Sequence, residues 1–149
     1  MNRAARAAVP ALVVGLLAGC GAGASTSAAD DDVHAARAVF DGYGAALRDR
    51  DFAVACNSLT QRARAQVVEA VTLGGSTAGV TCERAFQAMY GQAQLAQALD
   101  ADDAAVFAIA MTGVGTSDER ALISYRNSSG EHTARLVRES GTWHIDAAG

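Results

Sequence analysis

The stretch ESGTWHID, residues 139–146 of the 149-residue chain, decides the fold. Ser140-Gly141 is short enough to form a tight hairpin between two strands. After this turn, Trp143 and Ile145 point to one face of a strand, and the residues between and beyond them point to the other. Before it, residues 132–139 form a second strand with polar decoration. The stretch therefore predicts an antiparallel pair of strands with one buried face.

The same two-residue period extends toward the N-terminus and predicts further strands. In the strand predicted over residues 104–111, Phe107, Ile109 and Met111 alternate with smaller side chains, so we expect these three residues to face inward. Residues 121–125 repeat the alternation in the next strand. Residues 96–100 would add one more strand at the edge. This part of the chain thus predicts a meander of four to five strands.

Before the strands, apolar side chains recur every three or four residues, which predicts α-helices. The first helix begins at Val33, and its buried stripe includes Tyr43. The spacing of Ser58 and Gln61 is typical of a capping box that opens a later helix. The stripe of the last helix comprises Cys82, Ala85, Phe86, Met89 and Tyr90. Helices followed by a meander of strands predict an α+β fold, with N-terminal helices packed on one face of a curved antiparallel sheet.

The region from residue 33 to residue 146 resembles NTF2-like proteins, which have a cone-shaped, cystatin-like α+β fold. The likeness lies in the amphipathic first helix and in the Gly-x-Trp-x-Ile ending of residues 141–145. Residues 55–60, 62–64 and 81–85 resemble a group of small exported lipoproteins of high-GC bacteria. The resemblance implies a sheet wrapped around the first helix, with a conical pocket between them. It implies no particular activity, because this fold hosts enzymes, transport adaptors and inert members.

The N-terminus has the features of an export signal. Arg3 and Arg6 precede an apolar run of about twelve residues, which as a helix would span roughly 18 Å and is too short for the ~30 Å core of a membrane. The run ends in LAGC, residues 17–20, which resembles the lipobox of bacterial lipoproteins. That resemblance implies that the thiol of Cys20 carries a diacylglyceryl group and that a peptidase removes residues 1–19. An ordinary secretory signal is the alternative.

The resemblance to a lipobox implies that the protein is held at the extracytoplasmic face of the cell membrane. Two acyl chains on one cysteine give stable anchoring, whereas one chain gives only marginal binding. Residues 20–32 are small, polar and finally acidic, which predicts a flexible tether. Residues 33–149 then form a single domain, tethered to the membrane through the lipid.

Cys56 and Cys82 remain once Cys20 is assigned to lipid. An even pair of cysteines in an exported domain predicts a structural disulfide bond. The bridge would close a loop of about 27 residues and contribute roughly 3–4 kcal/mol to stability. Two buried free thiols are the alternative, while the spacing does not match a redox-active Cys-x-x-Cys pair.

The composition excludes several classes of partner. The formal net charge is −4, and all twelve basic residues are arginines scattered along the chain. Nucleic-acid-binding domains instead carry a concentrated basic patch. The three histidines, His34, His132 and His144, lack the spacing of metal ligands. We therefore predict no nucleic-acid partner, no metal and no cofactor.

The predicted pocket contains tyrosines but lacks a catalytic carboxylate. Glu139 and Asp146 fall on the strand face opposite to the apolar inward positions, so the acid–base pair of a cone-fold isomerase is incomplete. This favours a binding or interaction module, whose partner is another protein or a small apolar ligand. An isomerase-type enzyme and an envelope scaffold are the alternatives. The residues expected to line the pocket are Tyr43, Phe86, Tyr90, Phe107 and Trp143.

Overall fold

The computed structural model describes residues 24–72, 77–92, 104–113, 115 and 117–148. These residues form helices first and strands afterwards, which confirms the predicted α+β fold. The helices are α1 (Ala24–Arg48), α2 (Phe52–Asn57), α3 (Gln61–Thr72) and α4 (Cys82–Tyr90). The strands are β1 (Ala105–Thr112), β2 (Arg120–Asn127), β3 (Gly130–Glu139) and β4 (Thr142–Ala148). Cys20, the signal over residues 1–19 and the strand predicted at residues 96–100 lie outside the described residues.

The strands form one antiparallel sheet in the order β1-β2-β3-β4. Ser140 and Gly141 connect β3 to β4 with positive φ angles of 51° and 83°. Two consecutive positive φ angles are typical of the type I′ turn, whose twist suits a two-residue hairpin. Glu139 pairs with Thr142 directly across this turn. The hairpin predicted from the sequence is therefore confirmed.

A β-bulge changes which residues of β1 face the core. Val106 pairs with Tyr125 and Ala108 pairs with Ser124, which leaves Phe107 as the extra residue. The insertion interrupts the alternation, so Val106, Ile109 and Met111 pack against the core, whereas the Phe107 side chain is 57% exposed. The prediction that Phe107 faces inward with Ile109 and Met111 is wrong for this reason.

The core lies between the helices and one face of the sheet. Ile123, Leu136 and Ile145, from three neighbouring strands, are its most completely buried large side chains. Phe40 of α1 packs on Tyr125 of β2, with ring centroids 5.0 Å apart. These contacts place α1 across the inward face of the sheet, as expected when helices cover one side of an antiparallel sheet.

A disulfide bond joins the end of α2 to the start of α4. Cys56 and Cys82 are bonded, and their Cα atoms are 6.1 Å apart. Thr81 caps α4, because its hydroxyl accepts a hydrogen bond from the backbone N–H of Arg84. The predicted bridge is confirmed, and α4 begins at the predicted position.

The segment before α3 pairs with β4 and does not form the predicted capping box. Leu59 makes a parallel bridge with Ile145 at the outer edge of the sheet. The Ser58 hydroxyl donates to a backbone carbonyl of α2. Thr60 caps α3 instead, since its hydroxyl accepts from the backbone N–H of Ala63 at 3.1 Å. The capping-box prediction is wrong because the bridge to β4 fixes the residues that precede the helix.

Helix α1 begins at Ala24, well before the predicted start at Val33. Asp32 accepts a hydrogen bond at 2.9 Å from the Nη1 atom of Arg138 on β3. This contact, together with the high helix propensity of the alanines in the segment, favours helix over coil here. The tether predicted over residues 20–32 is therefore helical from Ala24 onward.

Candidate functional site

An apolar pocket of about 230 Å³ lies where α1, α3, α4 and β4 meet. Three of the described lining residues are alanines, two on α3 and one on β4, and their short side chains leave space between the helices and the strand. Because α3 also packs against α4, the pocket is bounded by helices on several sides. Its lining residues are Tyr43, Leu59, Ala63, Gln66, Val67, Ala70, Met89, Ile145 and Ala147.

Tyr43 has the one ionisable side chain among the described residues that line this pocket. Burial raises the pKa of Tyr43 well above its ordinary value, and the neighbouring Tyr90 and Tyr125 raise the pKa further. The hydroxyl therefore remains protonated at physiological pH. No described residue forms a hydrogen bond with it. Apart from Gln66, the described lining of the pocket is thus apolar, with one hydroxyl group available to donate.

Tyr43 is the predicted pocket residue that lines the observed pocket. Phe86, Tyr90 and Trp143 are instead buried in the core. The rings of Phe86 and Tyr90 pack on Phe52 of α2, with centroids 5.9 Å and 5.2 Å from the Phe52 ring. Phe107 lies on the opposite face of the sheet, where its ring centroid is 5.8 Å from the Arg126 guanidinium. The prediction that these four residues line the pocket is not supported by their positions.

Most of the pocket lining comes from α3 and β4. The sequence does carry a signal for part of it, because Ala63, Val67 and Ala70 lie on one apolar face of the predicted helix. No comparable signal identifies Gln66, a polar residue on the exposed side of α3. Ile145 was recognisable as buried but not as a wall of a cavity. The pocket depends on where separate elements meet, which local periodicity does not specify.

Asp146 lies on β4 between two pocket residues and connects α3 to the sheet. Its carboxylate accepts hydrogen bonds from the Thr60 hydroxyl at 3.1 Å, from Arg62, and from the Nε atom of Arg135 at 2.9 Å. Burial alone would raise the pKa of Asp146, but the hydrogen bonds from Arg62, Thr60 and Arg135 outweigh it and lower the pKa. The carboxylate is therefore a charge-balanced structural group and is poorly suited to accept a proton.

A second buried carboxylate, Glu119, fastens the loop between β1 and β2. Its side chain is 6% exposed. The Gly115 N–H donates a hydrogen bond to it at 2.9 Å, and Arg138 donates one at 2.8 Å. The hydrogen bond from Gly115, followed by the one from Arg138, lowers the pKa of Glu119. Arg138 also binds Asp32, so it joins α1, β3 and this loop. The sequence pattern did not identify this group of three charged side chains, Asp32, Glu119 and Arg138.

A larger and more open cavity of about 430 Å³ lies beside the disulfide bond. Among the described residues that line it, the two charged side chains each have a role in the local structure. Arg64 donates from Nε to the carbonyl of Leu59, and Glu83 lies in the first turn of α4, where a negative charge is favourable. The pocket beside Tyr43, with an unused donor and apolar walls, is the better candidate for a binding site.

Within the described part of the chain, no cluster of three or more histidine, cysteine, aspartate or glutamate side chains could hold a metal ion. None of the helices described combines the length and the apolarity that crossing a bilayer requires. No protein family model matches the chain, and no match occurs among curated proteins or solved structures.

Proposed function

We propose that this protein is a lipid-anchored extracytoplasmic module that binds a small apolar ligand without catalysing a reaction. The observation that carries the proposal is the pocket beside Tyr43, whose walls are apolar except for Tyr43 and Gln66. Transfer of an apolar ligand from water into such a pocket is favourable. Its volume of about 230 Å³ corresponds to roughly eight water molecules in the liquid, so the ligand is small.

The pocket chemistry favours binding over catalysis. An isomerase-type reaction needs a carboxylate or histidine base near the tyrosine donor. Neither residue type occurs among the described residues that line the pocket. Asp146 is next to the pocket along β4, but Arg62 and Arg135 hold its carboxylate. The enzyme alternative would require a base that these residues do not supply.

Two observations support the extracytoplasmic location. The Cys56–Cys82 bond belongs to the chemistry of oxidising compartments, and residues 17–20 resemble a lipobox. Helix α1 begins four residues after Cys20, and an extended chain advances about 3.5 Å per residue. A lipid on Cys20 would therefore hold the start of α1 within about 14 Å of the anchor.

The anchor is tested by the Cys20→Ala variant in the native host. We expect this variant to move from the membrane fraction to the soluble fraction, because it cannot carry the acyl chains. Ser25→Ala, which changes a residue beyond the expected cleavage site, should stay with the membrane. Retention of Cys20→Ala in the membrane fraction, or an intact Met1 in the mass spectrum of the wild-type protein, would contradict the lipid anchor.

Ligand binding is tested with toluene, a small probe with no hydrogen-bonding group. Titration of the ¹⁵N-labelled full chain should give saturable amide shifts centred on α3 and β4. Ala70→Phe should abolish these shifts, because the added ring occupies the pocket from its rim. Ala65→Phe is the matched control, since Ala65 is an exposed alanine of α3 that lines the other cavity. Equal effects of the two variants would contradict binding in this pocket.

A second candidate function, the envelope scaffold, is favoured by the sheet face that the helices leave uncovered. Phe107 and Leu122 are 57% and 39% exposed on the adjacent strands β1 and β2. Apolar side chains exposed on one face of a sheet add apolar area to a contact with another protein. Phe107→Ser separates the two candidates, because it would impair a contact through this face and leave toluene binding unchanged.

A further inference from the structure

Within the binding site of the proposed function, we propose that the ligand is an uncharged molecule with one hydrogen-bond acceptor, such as a carbonyl or ether oxygen, and that the Tyr43 hydroxyl selects it. The inference rests on the proposed function, because it concerns the same pocket. It adds a chemical class to the ligand and assigns the selection to one atom of the protein.

The first step of the argument is the unused donor. The Tyr43 hydroxyl makes no hydrogen bond with a described residue. The described residues of α3, α4 and β4 that line the pocket with it are apolar except Gln66, and Tyr90 and Tyr125 are its polar neighbours outside the lining. In the empty pocket, water can hydrogen-bond to the hydroxyl. A purely apolar ligand would displace that water and leave a buried donor unpaired, which is costly. A ligand with an acceptor replaces the lost hydrogen bond.

The second step concerns the direction of the hydrogen bond. Because burial and the neighbouring tyrosines raise the pKa of Tyr43, the hydroxyl keeps its proton. It therefore donates to the ligand, and a ligand oxygen without a hydrogen of its own is sufficient. Gln66 lies on the exposed side of α3, where its amide remains hydrated at the rim of the pocket.

The third step excludes charged ligands. No cationic side chain lines the pocket among the described residues, and the nearby Arg62 and Arg135 are paired with Asp146. A carboxylate placed beside Tyr43 would be desolvated without a counter-charge, which is strongly unfavourable. A cation would meet the same difficulty. A neutral acceptor is the chemistry that remains.

The test compares two probes of nearly equal shape, acetophenone and α-methylstyrene, which differ in having a C=O or a C=CH₂ group. Amide-shift titrations of the full chain should show acetophenone binding about 3- to 10-fold more tightly, as expected for one net hydrogen bond. Tyr43→Phe should remove this preference by weakening acetophenone alone. Tyr90→Phe, which removes a hydroxyl outside the pocket lining, should retain it. Benzoate, the anionic analogue, should bind more weakly than acetophenone.

The outcomes distinguish the inference from the function on which it rests. Equal binding of the two probes by the wild-type chain, or a preference that persists in Tyr43→Phe, overturns selection by Tyr43 and leaves the binding function standing. Tighter binding of benzoate overturns the requirement for a neutral ligand. Failure of every probe, including toluene, overturns the function and the inference together. The wild-type comparison requires no substitution, so it holds even if Tyr43→Phe does not fold.

Discussion

At the scale of single residues, Asp146 shows how one side chain can connect several elements. It is 13% exposed and receives hydrogen bonds from Thr60, Arg62 and Arg135. Hydrogen bonds to a charged group are stronger than neutral ones, and removing one partner leaves the others unpaired. Asp146 therefore fixes the start of α3 against β3 and β4, next to the pocket that α3 lines.

Asp146→Asn should reduce the free energy of unfolding by about 1–3 kcal/mol, because two arginines lose a charged acceptor. Urea denaturation at neutral pH measures this loss. Asp41→Asn is the matched control, since the Arg37–Asp41 pair is exposed on α1 and such pairs contribute about 0.5 kcal/mol or less. Equal losses in the two variants would contradict the role assigned to Asp146.

The same residue makes stability depend on pH. The pKa of Asp146 is lower in the folded protein than its ordinary value, so its contribution is fully present above the unfolded pKa of about 3.9. That contribution is lost as the pH falls through the folded pKa. The difference in unfolding free energy between wild type and Asp146→Asn should therefore shrink below about pH 4. A difference that stays constant down to pH 2 would contradict this assignment.

At the scale of the elements, local sequence patterns predict those features of helices and strands that depend on residues close together in the sequence. The β3–β4 hairpin follows from Ser140-Gly141 and the alternation around it, and the structure has it at the expected position. The face of β1 could not be predicted, because the bulge at Phe107 arises from its pairing with β2. The start of α1 was also missed, since Asp32 is held by a residue 106 positions further along the chain.

Asp32→Asn should loosen the first turns of α1. The substitution weakens the contact with Arg138, which anchors this part of the helix to β3. Hydrogen exchange of the backbone amides near residue 32 should become faster, while global stability changes by less than about 1 kcal/mol. Asp31→Asn, an exposed neighbour, is the control and should leave exchange unchanged. Identical exchange in all three proteins would show that the contact does not hold the helix.

At the scale of the whole molecule, the class of fold could be predicted but the site could be predicted only in part. The helical and strand periods of the sequence predict a layer of helices on a sheet, and the even pair of cysteines predicts the disulfide bond. Tyr43 was identified from its helix stripe. The pocket itself depends on Ala63, Ala70 and Ala147, which are separated in sequence and come together only when α3 packs beside β4. Small side chains give no periodic signal of a cavity, because the same residues fill close-packed interfaces equally well.

Reduction of the Cys56–Cys82 bond should destabilise the whole domain. The bond closes a loop of about 27 residues, which corresponds to roughly 3–4 kcal/mol and a decrease in Tm on the order of 10 °C. Thermal unfolding with and without a reducing agent measures the change. A Cys56→Ala, Cys82→Ala double variant should show the lower Tm in both conditions. A wild-type Tm that does not respond to reductant would contradict the contribution of this bond.

The bridge between Leu59 and Ile145 also bears on how copies of this protein behave toward one another. The backbone N–H of Ile145 donates a hydrogen bond to the carbonyl of Ser58 at 2.8 Å, and the carbonyl of Ile145 accepts one from the backbone N–H of Thr60 at 2.9 Å. An unoccupied strand edge offers such groups to other chains and is a starting point for fibrous aggregation. Here the chain blocks the middle of that edge with its own backbone. Since the blocking segment follows directly after Cys56, we expect reduction of the disulfide bond to loosen this segment and to favour self-association.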